Sequence, residues 1–393
     1  MKRLALCLGA VLLALSGTAG AGAPAVPDGW VGTWSAAPVA GVGNGYPNYS
    51  IRNVVHTSVG GSAVRVRLSN RFSSQPVLMG RVSVAVAARA GSPEAVAGTM
   101  RELSFGGSSS VTIPAGASVA SDQVSLRVPR DADLLITTFT PTAAGPVTYH
   151  PLARQTSFFT RNGDFALETS GTSFGERTDV WHYVSEVDVR GSSAAGTVVT
   201  FGDSITDGYA STAGANQRWP DLLADRLGSR LGVANAGISG NRMLLDGGGF
   251  GINALARFDT DVLAKSGVRS VILLEGINDI QQNPHQTDPA QIIAAYRQFV
   301  TQAHSAGVRV VGATVLPFKG WQVYDPTLES TRQALNNFIR TGGVFDAVVD
   351  FDKVIRDPAD PLKMRAEFDC GDHLHPNDAG YQAMANAVDL AKL

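Results

Sequence analysis

The feature that most constrains the fold is a series of short apolar segments that alternate with helix-length segments through the second half of the chain. The apolar runs lie at residues 198–201, 271–274, 308–315 and 347–349. Strands that are apolar on both faces and alternate with helices are typical of a doubly wound, mostly parallel α/β sheet. Such sheets bind ligands at the carboxyl ends of their strands. The segments predicted to be helices are 219–231, 252–264, 289–306, 328–341 and a last one that starts at Pro376.

The first half follows a different pattern. Residues 64–68, 82–86 and 124–128 alternate between apolar and polar side chains, and Gly, Pro, Ser and Asn separate such stretches. Alternation with period two predicts half-buried strands of an antiparallel β-sandwich or jelly roll. The small residues at 191–196 indicate a segment that connects the two halves of the chain. We therefore expect a β-rich accessory domain at residues 24–192 and an α/β domain at residues 193–393.

The N-terminus has the composition of a secretory leader. Lys2 and Arg3 precede an apolar run at residues 4–15, and small residues follow as far as Ala23. This order matches the positive, apolar and cleavage regions of a signal peptide. No later segment is long and apolar enough to anchor the chain in a bilayer. We expect residues 1–23 to be removed and the mature protein to be secreted, without a stable membrane anchor.

Charge and cysteine content argue against a nucleic-acid-binding protein and against a fold held together by disulfides. The formal net charge is −2, and Lys and Arg form no blocks, so the sequence offers no electrostatic basis for binding nucleic acid. Of the two cysteines, Cys7 lies in the leader and only Cys370 would remain. The mature chain can therefore form no intramolecular disulfide. The sequence does not determine the oligomeric state.

Four polar segments follow predicted strands or precede the last helix, at residues 202–207, 235–241, 275–279 and 372–376. Each alone is typical of an ordinary turn. The first contains Ser204 but is not the G-x-S-x-G nucleophile elbow, because Thr206 replaces the second glycine. In the last, Asp372 lies three residues before His375. That spacing lets the carboxylate meet the near ring nitrogen and leaves the far nitrogen free as a base.

Together and in this order, the four segments resemble the SGNH hydrolase superfamily, also called GDSL esterases and lipases. The resemblance covers about residues 197–393 and implies a flavodoxin-like three-layer α/β/α hydrolase domain. Carried over by position, it implies that Ser204 is the nucleophile and that Asp372 and His375 complete the triad. It also implies an oxyanion hole formed by Ser204, Gly240 and Asn278. The β-rich half more loosely resembles the domain that precedes the hydrolase domain in some secreted bacterial members.

The resemblance implies a carboxylic ester hydrolase that needs no metal or organic cofactor. A serine hydroxyl becomes nucleophilic when a neighbouring base takes its proton, and His375 is the base we predict, with Asp372 orienting its ring. Substrates implied by the family are small-molecule or polysaccharide esters, including short acyl esters, lipids and acetylated carbohydrates. Neither acyl length nor alcohol is determined by the sequence.

Three alternatives remain open at this stage. His373 competes with His375 for the role of base, although no aspartate lies three residues before it. The cluster of Asp369, Asp372, His373 and His375 could instead belong to a metal-dependent hydrolase, although ligands packed this closely in sequence rarely converge on one ion. Finally, the protein could be a carbohydrate-binding protein whose hydrolase domain is vestigial.

Overall fold

The structure is a computed structural model that describes residues 27–41, 43, 45–142 and 145–393. The predicted leader, residues 1–23, lies outside these residues. Within the described ranges, no helix is both long enough and apolar enough to cross a membrane.

In the described residues before Gly191 there are sixteen strands, and all pairings among them are antiparallel. This confirms the β-rich region predicted from the alternating pattern. The strands are β1 Trp30–Ser35, β2 Val39–Ala40, β3 Tyr49–His56, β4 Gly61–Ser69, β5 Val77–Met79, β6 Arg81–Val86, β7 Arg101–Glu102, β8 Val111–Ile113, β9 Ser118–Ala120, β10 Val124–Val128, β11 Asp133–Thr140, β12 Thr148–His150, β13 Ser157–Arg161, β14 Glu176–Thr178, β15 Trp181–His182 and β16 Val184–Arg190.

Two of these sheets share one hydrophobic core. A five-stranded sheet has the order β1-β16-β4-β10, with β9 also paired to β4, and a six-stranded sheet has the order β14-β13-β3-β11-β6-β7. Val64 and Val187 from the first sheet lie in the same buried cluster as Ile51 and Ile136 from the second. Antiparallel sheets that bury facing side chains in this way form a sandwich.

The second half contains a five-stranded parallel sheet, as predicted. Its strands are β17 Thr197–Gly202, β18 Gly232–Gly237, β19 Val268–Leu274, β20 Arg309–Ala313 and β21 Ala347–Val349. Their spatial order is β18-β17-β19-β20-β21, which is the flavodoxin-like order. The predicted fold class is therefore confirmed, and β17 lies at the point where the strand order reverses.

Eight α-helices connect or follow these strands in the described residues, and they form two packing groups. Contacts join the second, seventh and eighth helices in one group and the third to sixth in the other, as expected when helices cover both faces of a sheet. The last helix begins at Asp378, not at Pro376 as predicted, because Asn377 caps it by accepting a hydrogen bond from the Gly380 N–H. The helices are α1 Ser204–Asp207, α2 Trp219–Leu227, α3 Ala254–Phe258, α4 Ile277–Gln281, α5 Pro289–Ser305, α6 Pro326–Thr341, α7 Phe351–Ile355 and α8 Asp378–Ala387. A π-helical turn at Asp259–Leu263 extends α3, and three-residue 3-10 turns lie at Pro27–Gly29, Gly248–Phe250 and Leu390–Lys392.

The β-rich region packs directly against the parallel sheet. The Gly32 N–H donates to Thr197 Oγ1 at 2.9 Å, and Ser35 Oγ donates to the Asn235 carbonyl at 2.8 Å. Ala37 and Val39 are fully buried in the core of the second half. The division at residues 192 and 193 remains a prediction, although the last antiparallel strand ends at Arg190 and the first parallel strand begins at Thr197.

Candidate active site

Three of the four predicted segments begin at the same edge of the parallel sheet. Gly202, the last residue of β17, pairs in register with Gly237 at the end of β18 and with Leu274 at the end of β19. Parallel strands present their carboxyl ends on one side. The loops that follow these strands therefore lie side by side around the nucleophile candidate.

Ser204 is the first residue of the short helix α1 and is 7% exposed. Asp203 precedes it as the N-cap, and its Oδ1 accepts a hydrogen bond from the Ile205 N–H at 2.9 Å. The helix ends after one turn because Gly208 adopts a left-handed conformation, φ 98°, and donates its N–H to the Ser204 carbonyl. This tight turn fixes the position of the Ser204 hydroxyl at the end of β17.

The chain terminus brings a histidine and an aspartate to this serine. Ser204 Oγ lies 2.8 Å from His375 Nε2, and His375 Nδ1 lies 2.7 Å from Asp372 Oδ2. The other carboxylate oxygen, Oδ1, accepts the backbone N–H groups of Leu374 at 2.8 Å and His375 at 2.9 Å. Burial opposes ionisation of Asp372, but the hydrogen bonds from His375 and Leu374 outweigh it and hold the pKa of the carboxyl below its ordinary value. An ionised carboxylate at Nδ1 leaves Nε2 free to accept the serine proton.

The same loop contains a second histidine–aspartate pair with nearly the same geometry. His373 Nδ1 lies 2.6 Å from Asp369 Oδ2, and Asp369 Oδ1 accepts the N–H groups of Gly371 at 2.7 Å and His373 at 3.0 Å. The His373 ring packs against Gly320 and its side chain is 54% exposed. Sequence spacing alone missed this pair, because its aspartate lies four residues before the histidine. Ser204 hydrogen-bonds to His375 and not to His373.

Gly240 has a backbone that requires glycine. Its φ is +78°, a left-handed conformation, and a Cβ there would lie 2.5 Å from the Phe250 ring. In the described part of the chain, no hydrogen-bond acceptor receives the backbone N–H of Gly240 or that of Ser204. Both donors are therefore available to an external oxygen, as an oxyanion hole requires.

Hydrogen bonds on both sides fix the Asn278 amide. Its Nδ2 donates to the Asn241 carbonyl at 2.9 Å, next to Gly240, and its Oδ1 accepts from Gln281 Nε2 at 2.8 Å. Gln281 Oε1 in turn accepts the indole N–H of Trp321 at 3.0 Å. With its oxygen occupied, Asn278 presents its amide nitrogen towards the Gly240 loop. Nothing in the sequence marked Gln281, which only the α4 geometry places one helical turn from Asn278.

Buried carboxylates hold the Gly240 loop at both of its ends. Asp207 Oδ2 accepts from the Ser239 N–H at 2.9 Å and from its hydroxyl at 2.7 Å. Asp279 accepts the N–H groups of Met243 at 2.7 Å and Leu244 at 2.9 Å. In the sequence, the two segments that contain these aspartates, residues 202–207 and 275–279, are each typical of an ordinary turn. The contacts of the two aspartates show that they fix the backbone around Gly240.

Two further acids, Asp203 and Glu275, are buried near Ser204. Burial raises the pKa of Asp203 to about 7, and it raises the pKa of Glu275 well above its ordinary value, with the charge of Asp203 adding to the effect. Arg257 contacts Glu275 and the end of β17: Nη2 donates to the Gly202 carbonyl at 2.9 Å and lies 3.5 Å from Glu275 Oε1. The guanidinium also stacks 3.9 Å from the centre of the Phe201 ring. This cluster supports the strand end that carries Ser204.

Asp372 lines an open depression of about 640 Å³. Tyr209 forms part of its wall, is 43% exposed, and its ring centre lies 4.3 Å from that of His375. Phe250, over Gly240, is 49% exposed. Exposed apolar side chains therefore lie beside His375 and over Gly240. The depression is lined by Arg154, Tyr209, Ala210, Asp369, Cys370, Gly371, Asp372 and Asn377.

The residues of the predicted metal cluster already form hydrogen bonds with other groups of the same loop. Ligand atoms of Asp369, Cys370 and Asp372 lie within 4.8 Å of one another. However, Asp372 already accepts from His375 Nδ1 and two backbone N–H groups, and Asp369 is bound to His373. The two histidines of the predicted cluster thus bind separate aspartates, and His375 faces Ser204. The predicted set of four ligands is therefore divided between two histidine–aspartate pairs, although Asp369, Cys370 and Asp372 lie close enough to hold an ion.

Comparisons with known proteins give a family match to the second half. Residues 200–383 match the model of the GDSL-like Lipase/Acylhydrolase family. The search of curated proteins gave no match. A GDSL-like lipase from Bacteroides thetaiotaomicron is 20% identical, with 50% of this chain and 87% of that chain covered and a TM-score of 0.39.

Two similar structures cover most of this chain. A family two carbohydrate esterase from Clostridium thermocellum, solved with cellohexaose, is 13% identical over 88% of this chain and 91% of its own, with a TM-score of 0.39. A family two carbohydrate esterase from Cellvibrio japonicus is 13% identical over 91% of this chain and 92% of its own, with a TM-score of 0.37.

Proposed function

Because residues 200–383 match the model of the GDSL-like Lipase/Acylhydrolase family, we propose that this protein hydrolyses carboxylic esters through an acyl-enzyme on Ser204. The observation that carries the proposal is the chain of contacts from Ser204 Oγ to His375 Nε2 at 2.8 Å and from His375 Nδ1 to Asp372 at 2.7 Å. This arrangement supplies a nucleophile, a base and a group that fixes the tautomer of the base.

In the first half-reaction, Ser204 Oγ forms a bond to the ester carbonyl carbon while its proton passes to His375 Nε2. The carbonyl oxygen becomes an oxyanion, which the N–H groups of Ser204 and Gly240 and the Asn278 amide stabilise. Asp372 stabilises the imidazolium. The tetrahedral intermediate then expels the alcohol oxygen, which takes the proton from His375.

In the second half-reaction, water replaces the alcohol. His375 removes a proton from water, the resulting hydroxide bonds to the acyl carbon, and a second oxyanion forms in the same hole. Cleavage of the Ser204 ester bond returns the proton to Oγ and releases the carboxylic acid. The cycle consumes one ester and one water and needs no metal or organic cofactor.

We extend the proposal to localisation and substrate. Residues 1–23 direct secretion, and the N-terminal sequence of the exported protein tests this. Tyr209 and Phe250 provide apolar contacts beside the nucleophile for the acyl or alcohol portion of an ester. A panel of p-nitrophenyl esters from acetate to palmitate, assayed beside acetylated xylan, measures acyl length and tests a carbohydrate substrate.

The assignment of the triad is tested with three alanine variants. Ser204→Ala and His375→Ala are expected to lose ester hydrolysis, and only wild type and His373→Ala are expected to react with a fluorophosphonate. Near-normal activity in Ser204→Ala, or loss of activity in His373→Ala alone, contradicts the proposal. Loss of activity on chelation together with stoichiometric bound metal favours the metal-dependent alternative. Carbohydrate binding without turnover of any ester favours the alternative of a carbohydrate-binding protein with a vestigial hydrolase domain.

A further inference from the structure

Asp207 connects the nucleophile turn to the loop of the oxyanion hole. It is the last residue of α1, three residues after Ser204, and its side chain is 2% exposed. Its Oδ2 accepts both the backbone N–H and the hydroxyl of Ser239. Ser239 directly precedes Gly240, so the position of this carboxylate sets where the Gly240 N–H lies relative to Ser204.

The partner of this carboxylate comes from the β-rich region. Asp207 Oδ1 lies 2.9 Å from His150 Nε2, and the His150 side chain is 3% exposed. His150 is the last residue of β12, and the centre of its ring lies 5.5 Å from that of Trp181 in the neighbouring strand β15. A residue of the β-rich region thus contacts Asp207, and Asp207 in turn contacts the loop next to Ser204.

The protonation of His150 follows from its two contacts. Nδ1 lies 2.8 Å from the Ala37 carbonyl, which can only accept, so Nδ1 carries a proton. A neutral ring would then turn the lone pair of Nε2 towards the Asp207 carboxylate. Burial and the nearby Arg218 charge oppose protonation, but the charge and hydrogen bond of Asp207 outweigh them and raise the pKa of His150. The contact is therefore an imidazolium–carboxylate pair that is fully removed from solvent.

On the premise of the ester hydrolysis proposed above, we propose that His150 is a positioning residue through which the β-rich domain completes the oxyanion hole. The imidazolium fixes Asp207, Asp207 fixes Ser239, and Ser239 fixes the adjacent Gly240 N–H. The accessory domain is then part of the catalytic unit. A displacement of about 1 Å in a catalytic group can lower turnover about 10²-fold, so a group two contacts away from the oxyanion can affect the rate.

Two amide substitutions separate the contacts of His150. In His150→Gln, the longer side chain places its amide N–H near the position of Nε2 and keeps a donor to Asp207. In His150→Asn, the shorter side chain places its amide near Nδ1, so it keeps the Ala37 contact and leaves Asp207 Oδ1 without its histidine partner. Comparable polarity and a different reach make the two variants a matched pair.

His56→Asn is the control for general loss of stability. His56 is also in the β-rich region and lies between two carboxylates, Asp133 at 2.8 Å from Nδ1 and Asp131 at 3.0 Å from Nε2. Neither carboxylate contacts the residues around Ser204. By the same reach, this variant keeps the contact near Nδ1 and removes the more exposed Nε2–Asp131 contact, so it breaks a histidine–aspartate contact in the same region without affecting the oxyanion loop.

The experiment measures kcat and KM for a p-nitrophenyl ester in the full-length variants, per enzyme counted by fluorophosphonate labelling. Hydrogen exchange of residues 237–243 is followed in parallel. We expect His150→Asn to lower kcat about 10- to 100-fold with KM changed by less than about threefold, because an oxyanion donor acts mainly in the transition state. His150→Gln should keep kcat within about fivefold of wild type, and only His150→Asn should exchange faster at residues 237–243.

Each other outcome has a defined meaning. Equal kcat in wild type and His150→Asn overturns the inference, and so does an equal kcat loss in His56→Asn, which would indicate general destabilisation. If the wild type hydrolyses no ester, the proposed function fails, and hydrogen exchange decides the inference separately. Faster exchange at residues 237–243 in His150→Asn alone supports the positioning role, and unchanged exchange refutes it.

Discussion

Substituting Asp372 with asparagine tests whether Asp372 sets the tautomer of His375 in the proposed triad. Asp372 Oδ1 accepts two backbone N–H groups, those of Leu374 at 2.8 Å and His375 at 2.9 Å. An amide nitrogen cannot accept them, so the carbonyl oxygen of the new asparagine must take this position. Its NH2 group is then forced into the place of Oδ2, which lies 2.7 Å from His375 Nδ1.

That orientation reverses the tautomer of the base. The NH2 group donates to Nδ1, so the ring proton moves to Nε2, which can then no longer accept from Ser204. Flipping the amide would leave two backbone N–H groups without acceptors, at about 1–3 kcal/mol each. The corresponding substitution in a serine protease triad lowers kcat about 10⁴-fold. We expect a similar loss here, equivalent to about 5.5 kcal/mol in activation free energy.

The neighbouring pair provides a matched control. Asp369 also accepts two backbone N–H groups through Oδ1 and binds His373 Nδ1 through Oδ2 at 2.6 Å. Asp369→Asn should therefore reverse the tautomer of His373 with kcat within about threefold of wild type. The assay is steady-state hydrolysis of a p-nitrophenyl ester at pH 7.5, with thermal unfolding to verify folding. If folded Asp372→Asn keeps kcat within tenfold of wild type, or if Asp369→Asn loses as much, the reasoning is wrong.

Three further predictions concern the surroundings of Ser204. Asn278→Ala should lower kcat about 10²–10³-fold with little change in KM, because it removes one oxyanion donor; an equal rise in KM would indicate a ground-state contact instead. Gln281→Leu frees the Asn278 oxygen and leaves the Trp321 indole N–H without its acceptor. We therefore expect kcat to fall about tenfold and the free energy of unfolding to fall by about 1–3 kcal/mol. Steady-state kinetics measures the first effect, and urea denaturation measures the second. Burial raises the pKa of Asp203 to about 7, so between about pH 4 and 7 the folded protein holds a proton that the unfolded chain has lost. The free energy of unfolding should therefore fall as pH rises through this range. Denaturation at pH 5 and 7.5 measures this pH dependence, which should be weaker in Asp203→Asn than in the wild type. If the variant keeps the same pH dependence, other groups cause it.

Much of the fold could be predicted from the sequence because it depends on periodicity. Side chains that alternate along a strand must lie on opposite faces, and continuous apolar runs must be buried on both. The predicted strand at residues 124–128 and the predicted run at 347–349 have the bounds of β10 and β21. Helix ends were less certain. Pro376 suits a helix start, yet Asn377 provides the cap, and the helix begins at the residue after this cap, Asp378.

The sequence by itself determined the residue types at the strand ends and the spacing of Asp372 and His375, since both are local properties of the chain. Tertiary structure decided the rest. Only the fold places His375 at Ser204, 171 positions apart in sequence, and only packing of the two halves puts His150 against Asp207. Contacts between distant segments depend on how surfaces fit, and no local pattern encodes them. For that reason Ser204 could be predicted only from the ordered set of four segments and the family that they resemble, and the residues that hold its surroundings could not be predicted.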